Sequence, residues 1–169
     1  NSMAGLIKIN TSKPKQFKES KLSLEIGNYG KQNIHILHNQ PLSKNLSFRL
    51  GITKNNDNGF IYNNHINDYS NKRDELVSNV KLAWNKHLKT GDKLNILLNG
   101  FYYDLDNNYD RWSSTNFGNF NDFTSNSDFM YLLDEESKDA LSGNSHSLEI
   151  NYKRFGSYKI SSVIATNDI

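Results

Sequence analysis

The sequence predicts an all-β protein, an antiparallel meander of strands with one apolar and one polar face, and three observations carry that expectation. Only 36% of the 169 residues are hydrophobic, yet apolar residues recur at every second position over long stretches, which is the period of a strand and not of a helix. Each alternating stretch spans about 9 to 11 residues, the length that crosses a bilayer when a strand is tilted. The connections between stretches are alternately short and long, as in barrels that cross a membrane. Together these point to part of a large transmembrane β-barrel. Alternation and Gly/Asn turns by themselves leave open an antiparallel sandwich, a lipocalin-like barrel or a small autonomous outer-membrane barrel acting as an adhesin or structural protein.

The first stretch begins at Ser20, with Leu22, Leu24 and Ile26 set against Lys21, Ser23 and Glu25. A second carries Ile34 and Ile36 against Asn33 and His35, and a third Leu46, Phe48, Leu50 and Ile52 against Ser47, Arg49, Gly51 and Thr53. The fourth, about Glu75 to Lys86, places Leu76, Val80, Leu82 and Trp84 on one side, with Ser78 as a polar lapse. In the fifth, about Lys93 to Tyr103, Leu97 and Phe101 blur the alternation by falling on the nominally polar side. The sixth sets Leu148, Ile150 and Tyr152 opposite Ser147, Glu149 and Lys153, and the seventh runs near Tyr158 to Thr166.

Residues 40–45, 87–92 and 155–157 are short connections, whereas Asn55 to Asp74 and Asp104 to Ser145 are long ones. The first hairpin, Gly27-Asn28-Tyr29-Gly30, is tight although it falls on the side of the long loops.

Charge and residue usage exclude several classes of function. Lys and Arg number 20 against 18 Asp and Glu, and the basic residues are scattered among Asn and Ser, so no nucleic-acid footprint is present. Mean hydropathy is −0.74, and apolar runs such as Ile96-Leu97-Leu98 are far too short for a membrane-spanning helix. The absence of Cys excludes a disulfide scaffold and a thiolate metal site. The acidic groups Asp134-Glu135-Glu136 and Asp104/Asp106 lack the spacing of a calcium loop and have no nucleophile and base beside them, so no catalytic residue and no enzyme is expected. No two of His35, His38, His65, His87 and His146 stand at a helical i, i+4 spacing or in a ligand motif, so no metal site and no cofactor is expected.

The N-terminal segment Ala4-Gly5-Leu6-Ile7-Lys8-Ile9-Asn10-Thr11-Ser12-Lys13-Pro14 resembles the closing segment of the plug in TonB-dependent outer-membrane receptors, of the form G-[VL]-I-x-I-x-T-x-x-P. Gly5, Leu6, Ile7, Ile9, Thr11 and Pro14 match it. Further along, Gly27-Asn28-Tyr29-Gly30, Arg49, Asn58-Gly59-Phe60 with Asn63, and Lys81-Leu82-Ala83-Trp84 are similar to the same family's early barrel strands, in the same order over nearly the first hundred residues.

The resemblance implies that residues 1–14 end a plug domain and that 15–169 form about seven strands of an incomplete barrel, lying in the outer membrane of a Gram-negative bacterium. It also implies ligand-gated uptake of a ferric siderophore or similar scarce nutrient, with outer-membrane lipid as surroundings and TonB as partner through a part of the protein outside this segment. The chain shows seven strands where the family closes its barrel with 22.

The candidate ligand-binding residues are Tyr109, Arg111, Trp112 and Phe117, in the longest loop with Phe120 and Phe123. Rigid aromatic faces beside a cation suit a bulky, often anionic chelate, while packing of the loop on itself, as in an Ω-loop, accounts for the same rings. Replacing Tyr109, Arg111 and Trp112 together by Ala in the full-length protein should weaken ligand binding about tenfold or more and leave barrel assembly intact, because such loops ride on a scaffold that folds without them. Direct binding to purified protein is the measurement, and unchanged affinity would reduce these residues to loop packing.

Overall fold

The computed structural model describes residues 11–63, 67–88, 91–108, 130–131, 138–154 and 159–168. About 75% of these lie in strands and none in a helix. The ten strands are β1 (Glu19–Ile26), β2 (Gln32–Pro41), β3 (Leu46–Asp57), β4 (Ile61–Asn63), β5 (Asp68–Ser70), β6 (Arg73–His87), β7 (Lys93–Asn107), β8 (Met130–Tyr131), β9 (Asp139–Lys153) and β10 (Lys159–Asp168). Seven of them form one open antiparallel sheet in the order β1-β2-β3-β6-β7-β9-β10, each strand beside the next long one in sequence. That meander is the one the alternating stretches predict.

The tight hairpins at one end of the sheet close by local bonds. Leu42 N–H donates to the Leu46 carbonyl (2.8 Å), and Leu88 N–H donates to that of Asp92 (2.9 Å). Gly91 supplies the positive φ (83°) that the second of these turns needs.

Four strands are longer than the apolar alternation alone indicates. β3 runs on to Asp57 and β6 starts at Arg73; β7 continues to Asn107 and β9 begins at Asp139. The segment expected as a loop from Asp104 to Ser145 is therefore strand at both ends, and so is the one from Asn55 to Asp74. These extensions carry Asn, Asp, Ser and Gly on both faces, so no hydrophobic period marks them. Backbone pairing holds them instead, as in Tyr103↔Gly143 and Asn55↔Glu75. Within the shortened connections β4 pairs with β5 antiparallel and with β8 parallel, which ties the two long loops to each other.

Register shows how the two faces are composed. One hydrogen-bonded row reads Phe48, Leu82, Leu98, Leu148, Ile164, and another Leu46, Trp84, Ile96, Ile150. The opposite face carries rows such as Asn39, Arg49, Lys81, Asn99, Ser147. His35 and His38 fall on opposite faces, beside Thr53 and Leu50 respectively.

The burial is inverted relative to a water-soluble domain. Among the described residues Ala83 is the buried apolar side chain, whereas Asn39, Ser47, Ser70, Lys81, Asp92, Asn107 and Asn108 are buried polar ones. The apolar face is open: Leu22 is 63% exposed, Leu24 64%, Val80 51% and Ile164 64%. Soluble monomers seldom leave so continuous an apolar surface uncovered.

The apolar band also runs obliquely across the sheet. Its centre in β1 is Leu24, whose row passes through Ile34, Lys54, Leu76 and Asp104 to Ser142 in β9. In β9 the band is centred on Ile150 instead, eight residues along from Ser142. Eight residues at ~3.3 Å against five strand spacings of ~4.8 Å incline the strands to the band by about 45°.

Residues 11–168 produced alone in buffer without detergent should aggregate through the open face and the two unpaired sheet edges. Size-exclusion chromatography with thermal melting checks this; a monodisperse, cooperatively melting monomer would show that the apolar face finds cover in water.

Candidate functional site

Two places on the molecule gather side chains from several strands, one on the polar face and one at the end of the sheet that carries the long loops.

On the polar face, residues 11–17 lie across the strands as a strap. The Asn39 side chain, fully buried, accepts from Lys15 N–H (2.8 Å) and donates to the carbonyls of Lys15 (2.9 Å) and Phe17 (2.5 Å). One amide thus offers both a donor and an acceptor to the passing backbone, much as a neighbouring strand would. Farther along, the Lys81 ammonium donates to the Thr11 carbonyl (2.9 Å) and to the Thr11 hydroxyl. Lys13 reaches Glu149 of β9 (3.2 Å), and Pro14 is buried.

Arg49 and Lys81 are directly paired across β3 and β6, an arrangement that costs energy unless each finds a counter-group. Arg49 finds Glu19 (3.1 Å) and Lys81 finds the strap. The side chains that pin the strap are polar residues in rows of polar residues. Asn39 in particular carries no sequence signal that separates it from Asn33 or Asn55 on the same face.

At the other end, the Gly27–Lys31 turn docks on the segment after β3. Asn58 N–H donates to the Tyr29 carbonyl (2.9 Å), and the Tyr29 and Phe60 rings meet at 6.3 Å between centroids. Tyr29 has a φ of 59° and belongs to the turn. Tyr102 falls on the apolar face between Ser78 and Asn144, and Trp84 lies in an apolar row. Tyr152 lies in one too, and its hydroxyl reaches Asp92 (2.5 Å).

Gly30 has a φ of 69°, and a side chain there would run into that of Asn58. Gly59, with a φ of 77°, sits against the Ser70 carbonyl under the same constraint. The Gly-Asn-Tyr-Gly and Asn-Gly-Phe motifs, some thirty positions apart in the chain, are thus two halves of one contact.

Beside this contact opens a polar cleft of about 450 Å³ lined by Asn58, Lys72, Arg73, Asp106, Asn108 and Lys138, among others. Its floor is fixed by strand-end bonds: Asn108 N–H to the Lys72 carbonyl (3.0 Å) and Asp74 N–H to Asn107 Oδ1 (3.3 Å). Asn55 and Asn107 both donate to Glu75 (3.1 Å each), and Arg73 stands between Asp57 (3.7 Å) and Glu75 (4.0 Å). In the adjoining loop, Lys72 and the Tyr69 amide hydrogen-bond Asp68 and hold its carboxyl below the usual Asp range. Charges of both signs and amides line the cleft, so it offers hydrogen bonds from many directions but no single strong field.

Tyr109, Arg111, Trp112 and Phe117 lie outside the described residues. The described ends of their loop, Asn107–Asn108 and Lys138, open onto the polar cleft. Asp104 and Asp106 stand in β7 and fall in the rows of the apolar face, beyond the apolar band. Among the described residues no three His, Asp or Glu side chains converge as metal ligands do.

No family model matches the chain, and comparisons with curated proteins and with solved structures likewise find no match.

Gly30→Ala should cost about 1 to 2 kcal/mol, because a left-handed backbone with a Cβ is strained and the methyl meets Asn58. The turn would lift from the loop, so limited proteolysis of the full-length protein should cut sooner between residues 58 and 72; unchanged cleavage and unchanged melting would mean that the turn and loop do not depend on each other.

Proposed function

We propose that the chain is the end of a plug domain and the first seven wall strands of an outer-membrane barrel of the TonB-dependent receptor type, acting in energy-coupled uptake of a ferric siderophore or a similar scarce nutrient. The observation that carries this reading is the inverted burial. The face that a soluble domain would hide is open, and the polar face is the one on which the chain's own N-terminal strap lies. A barrel in lipid has this arrangement, with its apolar band against acyl chains and its polar face around a filled lumen.

Three further features support it. The inclination of about 45° between strands and apolar band agrees with the tilt of strands in such barrels. Both long connections, and the small sheet that joins them, stand at the same end of the sheet, while the short turns after β2 and β6 stand at the other. The strap on the polar face, residues 11–17, includes the end of the segment Gly5 to Pro14 that resembles the end of a plug. On this reading the strands run outward from β1, the long loops are extracellular, and Trp84 and Tyr152 lie toward the periplasmic headgroup level, where amphipathic rings settle. The protein binds and gates; it makes and breaks no bond.

Spin labels on the full-length protein in liposomes test the reading. Labels at Leu50 and Leu98 should be relaxed by oxygen dissolved in the lipid, and labels at Gly51 and Asn99 by a water-soluble nickel chelate. Gly51 is suited to this because nothing lies within 4 Å of the space where its side chain would start. The reverse pattern, or water access on both faces, would sink the membrane assignment.

A further inference from the structure

We propose that Asn39 and Lys81 make residues 11–17 a fixed part of the wall, so that any displacement of the chain upstream ends at Thr11 and does not reach β1. The proposal draws on the receptor reading only for the origin of such a displacement, a pull on the upstream plug; the anchorage itself follows from the contacts.

The strap runs across the strands, not along them, with Thr11 over β6 and Lys15 over β2 before the chain turns into β1, while the Lys13 side chain reaches out to Glu149 of β9. Its two main attachments are of the kind that releases slowly. Asn39 is 0% exposed and holds three backbone groups, at both Lys15 and Phe17. Withdrawing the strap would leave a buried amide and these backbone groups without partners unless water flooded in, and buried unpaired groups are costly.

Lys81 is 6% exposed, and its ammonium is held by the Thr11 carbonyl and hydroxyl. Removal of the strap takes those acceptors away from a buried ammonium, which is costly. The third attachment, Lys13 to Glu149, is exposed at the lysine end and contributes little. The order of strength therefore places the hold at Asn39, with Lys81 as the outer stop.

A strap fixed in this way separates two mechanical regimes. A displacement that ends at Thr11 leaves the sheet undisturbed. Downstream of it, a load is passed sideways into β2 and β6, whose long ladders to β3 and β7 bear it in shear.

The test uses the full-length protein in detergent micelles and needs neither ligand nor transport, so it stands or fails separately from the receptor reading. In hydrogen exchange, the peptide containing the Lys15 amide should exchange roughly tenfold or more slowly than the free chain in the wild type, and lose that protection in Asn39→Ala. In single-molecule pulling from the N-terminus, wild-type extension should pause at Thr11 before a separate rupture. In Asn39→Ala, release at Thr11 should run on by about 28 Å, the length of residues 11–18 at roughly 3.5 Å each, with no second rupture before β1. Asn39→Asp keeps the acceptor and loses the donors, so it should retain protection of the Lys15 amide and weaken the rupture. An unprotected Lys15 amide in the wild type, or extension running through to β1 in one event, would overturn the proposal even if every variant failed to fold. Protection unchanged in Asn39→Ala would overturn it as well.

Discussion

Everything in this structure depends on a sheet that satisfies its backbone along the ladders while its apolar face finds no partner among the described residues. In an ordinary domain the second layer covers the apolar side, and burial of that surface stabilises the fold. Among the described residues the covering segment, residues 11–17, lies on the opposite side, above Asn39 and Lys81. The hydrophobic contribution is then left to whatever surrounds the molecule. The internal contribution comes from hydrogen bonds, among them those of Asn39 and Lys81 to the strap.

That constraint accounts for details which look unrelated along the sequence. Arg49 and Lys81 face each other because both belong on the polar face at the same level, and each is offset by a different group, Glu19 and the strap. The Asn-rich composition supplies side chains that donate and accept at once, as Asn39 does toward the strap and as Asn55 and Asn107 do in part around Glu75. Tyr152 places a ring in the apolar face and its hydroxyl on Asp92 of a short turn, so one side chain serves both surroundings.

The two long loops follow a different logic. β3, β6, β7 and β9 rise beyond the apolar band on residues of no hydrophobic period, and the loops they support are joined by β4, β5 and β8. The Gly-Asn-Tyr-Gly turn is short where its neighbours are long because it serves as a seat: Gly30 leaves room for Asn58, and the Tyr29 carbonyl receives the Asn58 amide. On the proposed reading this end faces the medium from which a nutrient is taken, with the polar cleft at the base of the loop that carries Tyr109, Arg111 and Trp112.

The sequence by itself determined the seven long strands, their order as a meander and the side on which each residue falls, because a period of two is a local property that every residue reports independently. Leu46 to Ile52 and Leu148 to Tyr152 declare their faces with no knowledge of their neighbours. What only the tertiary structure decided depends on pairs distant in the chain. The strand ends at Asp57, Arg73, Asn107 and Asp139 are set by ladders between segments that carry no apolar pattern. The obliquity of the apolar band exists only once strands are placed in register. Asn39 gained its role because Lys15 and Phe17, more than twenty residues earlier, cross over it. A hydrogen bond between a side chain and a remote backbone leaves no periodicity behind, so an asparagine that pins a strap and one that meets water are the same letter until the chain is folded.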